Sequence, residues 1–169
     1  MRSFLVLISF LGLALALEVG QVPKPILLEG ESGGRTTGEA FSSKILKDKV
    51  HVLFYVDPDE KELNEHVSAA LKEQGFDRDK FASVAVINMA ATWLPNFAIA
   101  SKLEAKQKKY PHTLYVKDLQ SVLVKQWDLK DDSSNIVLFA KDERVLFIKK
   151  GKLNEDEVKE LISTIKESL

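Results

Sequence analysis

Two uninterrupted apolar runs, "VHVLFYV" at residues 50–56 and "FASVAVINM" at 81–89, constrain this chain more than any other feature. Both are rich in β-branched and aromatic side chains and lack a regular polar alternation. That is the pattern of a strand covered on both faces rather than one with a wet side. Between them Leu63, Val67, Ala70 and Leu71 recur at helical spacing, and the stripe stops before Gly75. Strand, helix and covered strand make a crossover unit, which needs other elements packed on both faces of its sheet.

The rest of the chain extends that unit. "NFAIASKLEAKQKKY" at 96–110 reads as a helix turning Ile99, Leu103 and Tyr110 inward, with Pro111 as its stop. "TLYV" at 113–116 is a third buried strand, and "KDLQSVLVKQWDLKDDSS" fits either a short helix or an outer strand. "NIVLFA" and "RVLFIK" form a hairpin through Lys141, Asp142 and Glu143. A connection this tight ordinarily takes a glycine, so backbone strain is expected near Glu143. In the last helix Asn154 and Glu157 are spaced for a capping box, and Val158, Leu161, Ile162, Ile165 and Leu169 form one apolar face. Glu155 and Lys159 are spaced for an ion pair on its wet side. This order of elements specifies an α/β fold, a three-layer α/β/α sandwich around a mixed central sheet.

The N-terminus reads differently. Arg2 precedes an apolar run from Phe4 to Ala16 that ends in small residues at Ala14 and Ala16, the layout of a secretory signal peptide. The run is too short to span a bilayer comfortably, and a buried helix is the competing reading. Cleavage after Ala16 is expected, giving residues 1–16 as signal and 17–169 as a single domain with an N-terminal extension. The extension, "EVGQVPKPILLEGESGGRTTGEAF", suggests a short strand around Ile26 to Leu28 and a path over the domain surface. The localisation expected is periplasmic, with no membrane span once the signal is gone. Removing residues 1–16 takes away Arg2 and leaves 23 cations against 25 acids, a formal charge of -2. Nucleic acid is therefore not an expected partner. The chain has no cysteine, which excludes disulfides, thiol redox chemistry and thiolate metal ligation.

Asp57, Pro58, Asp59, Glu60 and Glu62 form an acidic knot where the first covered strand hands over to the helix. Asp57 is placed as an N-cap, Pro58 as the first helical residue and Glu60 as the box partner. A sharper alternative sets Asp59, Glu62 and His66 on one flank of that helix as a divalent-metal site, and with it a metal-dependent hydrolytic enzyme. Chance spacing on a solvated flank weighs against it, so no cofactor is assigned. Lys102, Lys106, Lys108 and Lys109 read as a solvated helix end, and Trp93 and Trp127 as either surface contact anchors or half-buried packing residues, packing being favoured. No phosphate loop or nucleophile elbow is present, and the three histidines lack an evident nucleophile partner.

"VHVLFYVDPDEKELNEHV" resembles the strand and first helix of a thioredoxin-like domain, and "EVGQVPKPILLEGESGGR" the extension of thioredoxin-like and peroxiredoxin-like secreted proteins. From "QKKYPHTLYV" to "KGKLNEDEV" the chain resembles the YtfJ family of small periplasmic bacterial proteins. The resemblance is carried by K-x-Y-P, by W-x-L followed by paired serines, by D-x-R-V and by G-x-L-x-x-x-E-V. It implies a thioredoxin-like fold without thioredoxin chemistry. The C-x-x-C pair of redox-active relatives would fall near Asp59 and Glu62, and their cis-proline near Ser134, so no catalytic residue carries over. A redox-inactive binding or accessory module follows, with an envelope protein as its candidate partner. Some members of the family carry the label of transcriptional regulator, a further reading against which the export signal and the charge of -2 stand.

Overall fold

The computed structural model describes residues 16–169, so the signal segment expected over 1–16 lies outside the described residues apart from Ala16. Twelve elements follow one another. They are β1 (Leu27–Leu28), β2 (Gly33–Arg35), β3 (Phe41–Ser42), β4 (Val50–Val56), α1 (Glu65–Glu73) and β5 (Phe81–Asn88). Then come α2 (Asn96–Lys109), β6 (Thr113–Asp118), α3 (Val122–Trp127), β7 (Ser134–Phe139), β8 (Val145–Lys150) and α4 (Glu155–Ser168).

Six strands form one mixed sheet in the order β2-β6-β5-β4-β7-β8. The two covered runs are its central parallel pair, with Leu53 opposite Val84 and Tyr55 opposite Val86. β6 continues the parallel set, while β2, β7 and β8 run antiparallel to their neighbours. Alternation then sorts the side chains. Val50, Val52, Ile136 and Leu138 meet Val67 and Leu71 of α1 and Val158, Leu161 and Ile165 of α4. Ile99 and Leu103 of α2 pack beside them, with Ala85, Ile87 and Tyr115. The opposite face sends Leu53, Tyr55, Val84, Val86 and Val137 against Leu123 and Trp127 of α3. Full burial of a side chain of this size is worth about 1.5–3 kcal/mol, so both faces must be covered for the sheet to persist. The three layers are those expected from the sequence.

The ambiguous stretch after β6 is helical, and β6 runs two residues further than the apolar core of its pattern. The N-terminal extension does not simply cross the surface. Leu17, Ile26, Leu28 and Phe41 are buried in the α3-side core, β1 pairs with β3, and β2 joins the main sheet as an edge strand. The approach is close: a Cβ on Gly33 would lie 1.9 Å from the Lys117 carbonyl oxygen, so β2 can sit there only as glycine. Four further expectations are corrected. Tyr110 is 41% exposed where α2 gives way to a turn, and Trp93 is 87% exposed rather than packed. Lys159 pairs with Asp156 at 3.0 Å, not with Glu155. The α-helix after β4 starts at Glu65, seven residues beyond Pro58.

Candidate functional site

In an open α/β sheet the carboxyl ends of the parallel strands are where ligands and reacting groups gather. Here β4, β5 and β6 reach that edge with Asp57, Asn88 and Asp118, and β7 starts there with Ser133, Ser134 and Asn135 beside them. All six are buried polar residues, at 3% exposure or less. Such a band is tolerated only if its groups find partners.

They find partners in neighbouring side chains and backbone. Asp118 is fully buried and accepts four bonds: from Tyr55 Oη at 3.0 Å, Leu123 N at 3.0 Å, Val122 N at 2.9 Å and Gln120 N at 3.2 Å. It therefore caps α3 from three residues before Ser121, whose own hydroxyl donates instead to Asn88 Oδ1 at 2.9 Å. Asn88 Nδ2 donates to Asp131 Oδ1 at 2.8 Å. Burial, with the neighbouring Asp118 charge, holds the Tyr55 hydroxyl far above its ordinary pKa, so it stays a donor. Asn135 exchanges bonds with both backbone groups of Lys130.

Asn64 performs the same task on the other side. Its Nδ2 donates to the Gly151 carbonyl at 3.0 Å and, through one shared N–H, to Ser134 Oγ at 3.1 Å and the Ser134 carbonyl at 3.3 Å, and its Oδ1 accepts from Leu153 N at 3.0 Å. With that amide committed to β7 and the β8–α4 connection, it makes no bond to the first turn of α1. This is the physical reason that α1 begins late.

The expected helix cap is thus a different object. Asp57, Pro58 and Glu60 belong to a separate 3-10 turn over Pro58–Glu60, and Asp57 Oδ1 accepts from Asp59 N at 2.8 Å, with no capping box through Glu60. Asp57 N donates to the Ser133 carbonyl at 2.9 Å, and Val56 pairs with Ser134, so the loop and the start of β7 face each other. Burial pushes the Asp57 pKa up, the Asp59 N–H pulls it back, and the Asp59 and Asp132 carboxylates push it further up.

Ser134 stands beside the Asp57 loop, while Asp59 and Glu62 are exposed. Asp59, Glu62 and His66 are not on one helical flank, because only His66 lies in α1. His66 Nε2 instead meets the Leu153 carbonyl at 2.9 Å. Among the described residues no group of three His, Asp or Glu side chains is placed to hold a metal ion, and the proposed trio is corrected accordingly. Asn64, Asn88 and Asp118 were not singled out in the sequence. The one signal for Asp118 was an acid ending an apolar strand shortly before a helical stripe.

Comparison with known proteins places this geometry. Residues 32–168 match the family described as "Bacterial protein of unknown function (YtfJ_HI0045)". The "Uncharacterized protein YtfJ" of Escherichia coli is 27% identical over 135 residues, which cover 78% of this chain and 73% of that protein. Among solved structures, a peroxiredoxin-like protein from Aquifex aeolicus superposes with a TM-score of 0.64 at 13% identity, covering 91% of this chain and 89% of that one. A pneumococcal exposed lipoprotein thioredoxin from Streptococcus pneumoniae gives 0.59 at 12% identity, covering 85% and 99%. The fold is thioredoxin-like.

Proposed function

This chain belongs to the YtfJ_HI0045 family, and from that premise we propose an exported, periplasmic binding or accessory protein that performs no thiol redox chemistry. The observation that carries the reading is the carboxyl edge itself. Its buried polar groups are satisfied by neighbouring side chains and backbone, with Asp118 and Asn64 each making four contacts, which is the behaviour of a structural network. A chain without cysteine has no dithiol to exchange, and Asp59 and Glu62, near which the resemblance sets the reactive pair of redox-active relatives, are exposed carboxylates.

Export is supported at one boundary. Ala16 is exposed, whereas Leu17 enters the core and its N–H donates to the Trp127 carbonyl at 3.2 Å. Cleavage after Ala16 would turn that N–H into an ammonium and make the bond charge-assisted. Binding is supported by Trp93, 87% exposed on the connection that leaves the same edge for α2, and by Phe97, 78% exposed in the first turn of that helix. Aromatic side chains of this size dominate interface energetics when they become buried.

Fractionation with N-terminal sequencing tests export: the expected result is a periplasmic chain starting at Leu17, and a cytoplasmic chain with its first 16 residues intact overturns it. Disulfide reductase and hydroperoxide assays on the purified protein should match the buffer blank, and turnover in either removes the reading. Crosslinking in the envelope fraction should capture one partner reproducibly, and Trp93→Ala should lose it.

A further inference from the structure

The opposite edge of the sheet, where β4, β5 and β6 begin, carries a cleft of about 410 Å³. That volume lies within the range of small-molecule sites. Polar residues, Thr36, Thr37 and Ser83 among them, share its lining, but most of the surface it exposes is carbon, with Leu114 and the largely buried Val84 from the strand starts and Ile45, 40% exposed, from the segment before β4. Gln107 contributes no free amide, since it already bonds the Thr113 carbonyl and Tyr115 N along β6.

One cation stands among these walls. Arg35, the last residue of β2, gives its Nη1 to Glu39 Oε2 at 3.3 Å, a long bond to a carboxylate that is 68% exposed. Screened pairs of this kind hold their partners weakly. Arg35 Nε is buried and has no hydrogen-bond partner among the described residues. A buried N–H left without an acceptor is rare enough to need a reason. Two other lining residues shape the charge. Burial keeps His51 below its usual pKa and so uncharged near neutrality, its Nδ1 held by the Lys49 carbonyl at 3.0 Å. His112 Nε2 accepts from Arg78.

A carboxylate approaching Arg35 side-on takes Nε and an Nη together, the geometry that matches a guanidinium fork best. A modest rotation away from Glu39 would present that fork, at the loss of one surface pair and with the orphaned Nε satisfied. The apolar walls then ask for carbon rather than for more charge, which disfavours a fully hydrated anion such as phosphate. We propose that this cleft binds a small amphipathic carboxylate, its apolar body against Val84, Leu114 and Ile45 and its carboxylate on Arg35. The site lies at the edge away from the Asp57 loop, so it stands or falls independently of the role proposed above.

Octanoate is a suitable probe, titrated into the full mature chain and followed by proton–nitrogen NMR. Saturable shifts confined to the cleft, including the Arg35 Nε–H signal, are expected. Octanol and inorganic phosphate should each bind at least about tenfold more weakly. Arg35→Gln should weaken octanoate by a similar factor while keeping the dispersion of a folded spectrum. If Arg35→Gln does not fold, Ile45→Asp serves instead, because it places a like charge beside the bound carboxylate from a half-exposed position, and it should abolish the shifts. Absence of cleft shifts at millimolar octanoate overturns the proposal. So does equal binding of phosphate or octanol, or unchanged affinity in the variants.

Discussion

The two edges of one sheet treat their polar groups in opposite ways. At the carboxyl edge, Asp118, Asn88, Asn64 and Asn135 are buried and each is satisfied by neighbouring side chains or backbone. At the amino edge, Arg35 keeps a buried N–H without a partner above an open cleft. A thioredoxin-like fold ordinarily invites attention to the first edge. In this chain that edge acts as a clasp joining the β4–α1 loop, α3, β7 and the β8–α4 connection, and the unsatisfied chemistry lies at the other.

The two edges should differ most at Asp118. Asp118→Ala removes the acceptor of four bonds and strands Tyr55 Oη and the Leu123 N–H in the core. Urea unfolding should show a loss of about 3–4 kcal/mol. Arg35→Gln, at the amino edge, should change stability by no more than about 0.5 kcal/mol. Equal losses at both sites would erase the distinction. Asn64→Ala is the next largest, expected at about 2–3 kcal/mol, since it strands the buried Leu153 N and removes the donor to Ser134 and to the half-buried Gly151 carbonyl at once. A loss below about 1 kcal/mol would mean that the loop is held by its backbone alone.

These residues also mark what the sequence could and could not reveal. The capping box of α4 was legible because Asn154 and Glu157 are three positions apart, and each bonds the other's backbone. The strands and their burial were legible for the same reason, as a pattern held within each segment. The start of α1 was not, because the partners of Asn64 lie 70, 87 and 89 residues further along. Local rules nominated Asp57 instead, and would equally nominate Ser121 over Asp118. The two tryptophans diverged similarly: Trp127 is buried with its Nε1 donating to the Lys24 carbonyl, 103 residues away, while Trp93 meets no such partner and is exposed. The buried role of the extension depended on a face of the sheet that α3 alone does not cover.

Asp57 sharpens the comparison through pH. Its folded pKa lies above the ordinary carboxylate value, so between the two values the folded chain holds more protons than the unfolded one. Its contribution to stability therefore falls as pH rises through that window. Glu157 has the opposite sign: its bond from Lys149 and the Asn154 N–H lower its pKa, and its contribution is lost only as pH falls below the ordinary value. Asp57→Asn keeps an acceptor for Asp59 N and removes the charge, so it should flatten the upper window without loss of stability at neutral pH. Asp57→Ala should cost about 1 kcal/mol. A window unchanged in Asp57→Asn would assign the titration to another carboxylate.

The smallest effect compares strained backbone at the two edges. Glu143, in the β7–β8 turn at the amino edge, sits at φ 67, which fulfils the strain anticipated there, and its side chain makes no hydrogen bond among the described residues. Ser121, at the carboxyl edge, sits at φ 51, but its hydroxyl bonds Asn88. The left-handed conformation costs an ordinary residue roughly 1–2 kcal/mol, and glycine gives back roughly 0.5–1 kcal/mol of that through its freer unfolded chain. Glu143→Gly should therefore stabilise the protein by about 0.5–1 kcal/mol, read as a higher urea midpoint at constant slope. Ser121→Gly relieves the same strain but gives up a bond worth about 1 kcal/mol, so its midpoint should stay put or fall. If Ser121→Gly were to stabilise as much as Glu143→Gly, the hydroxyl would carry nothing, and the carboxyl-edge network would be looser than its distances imply.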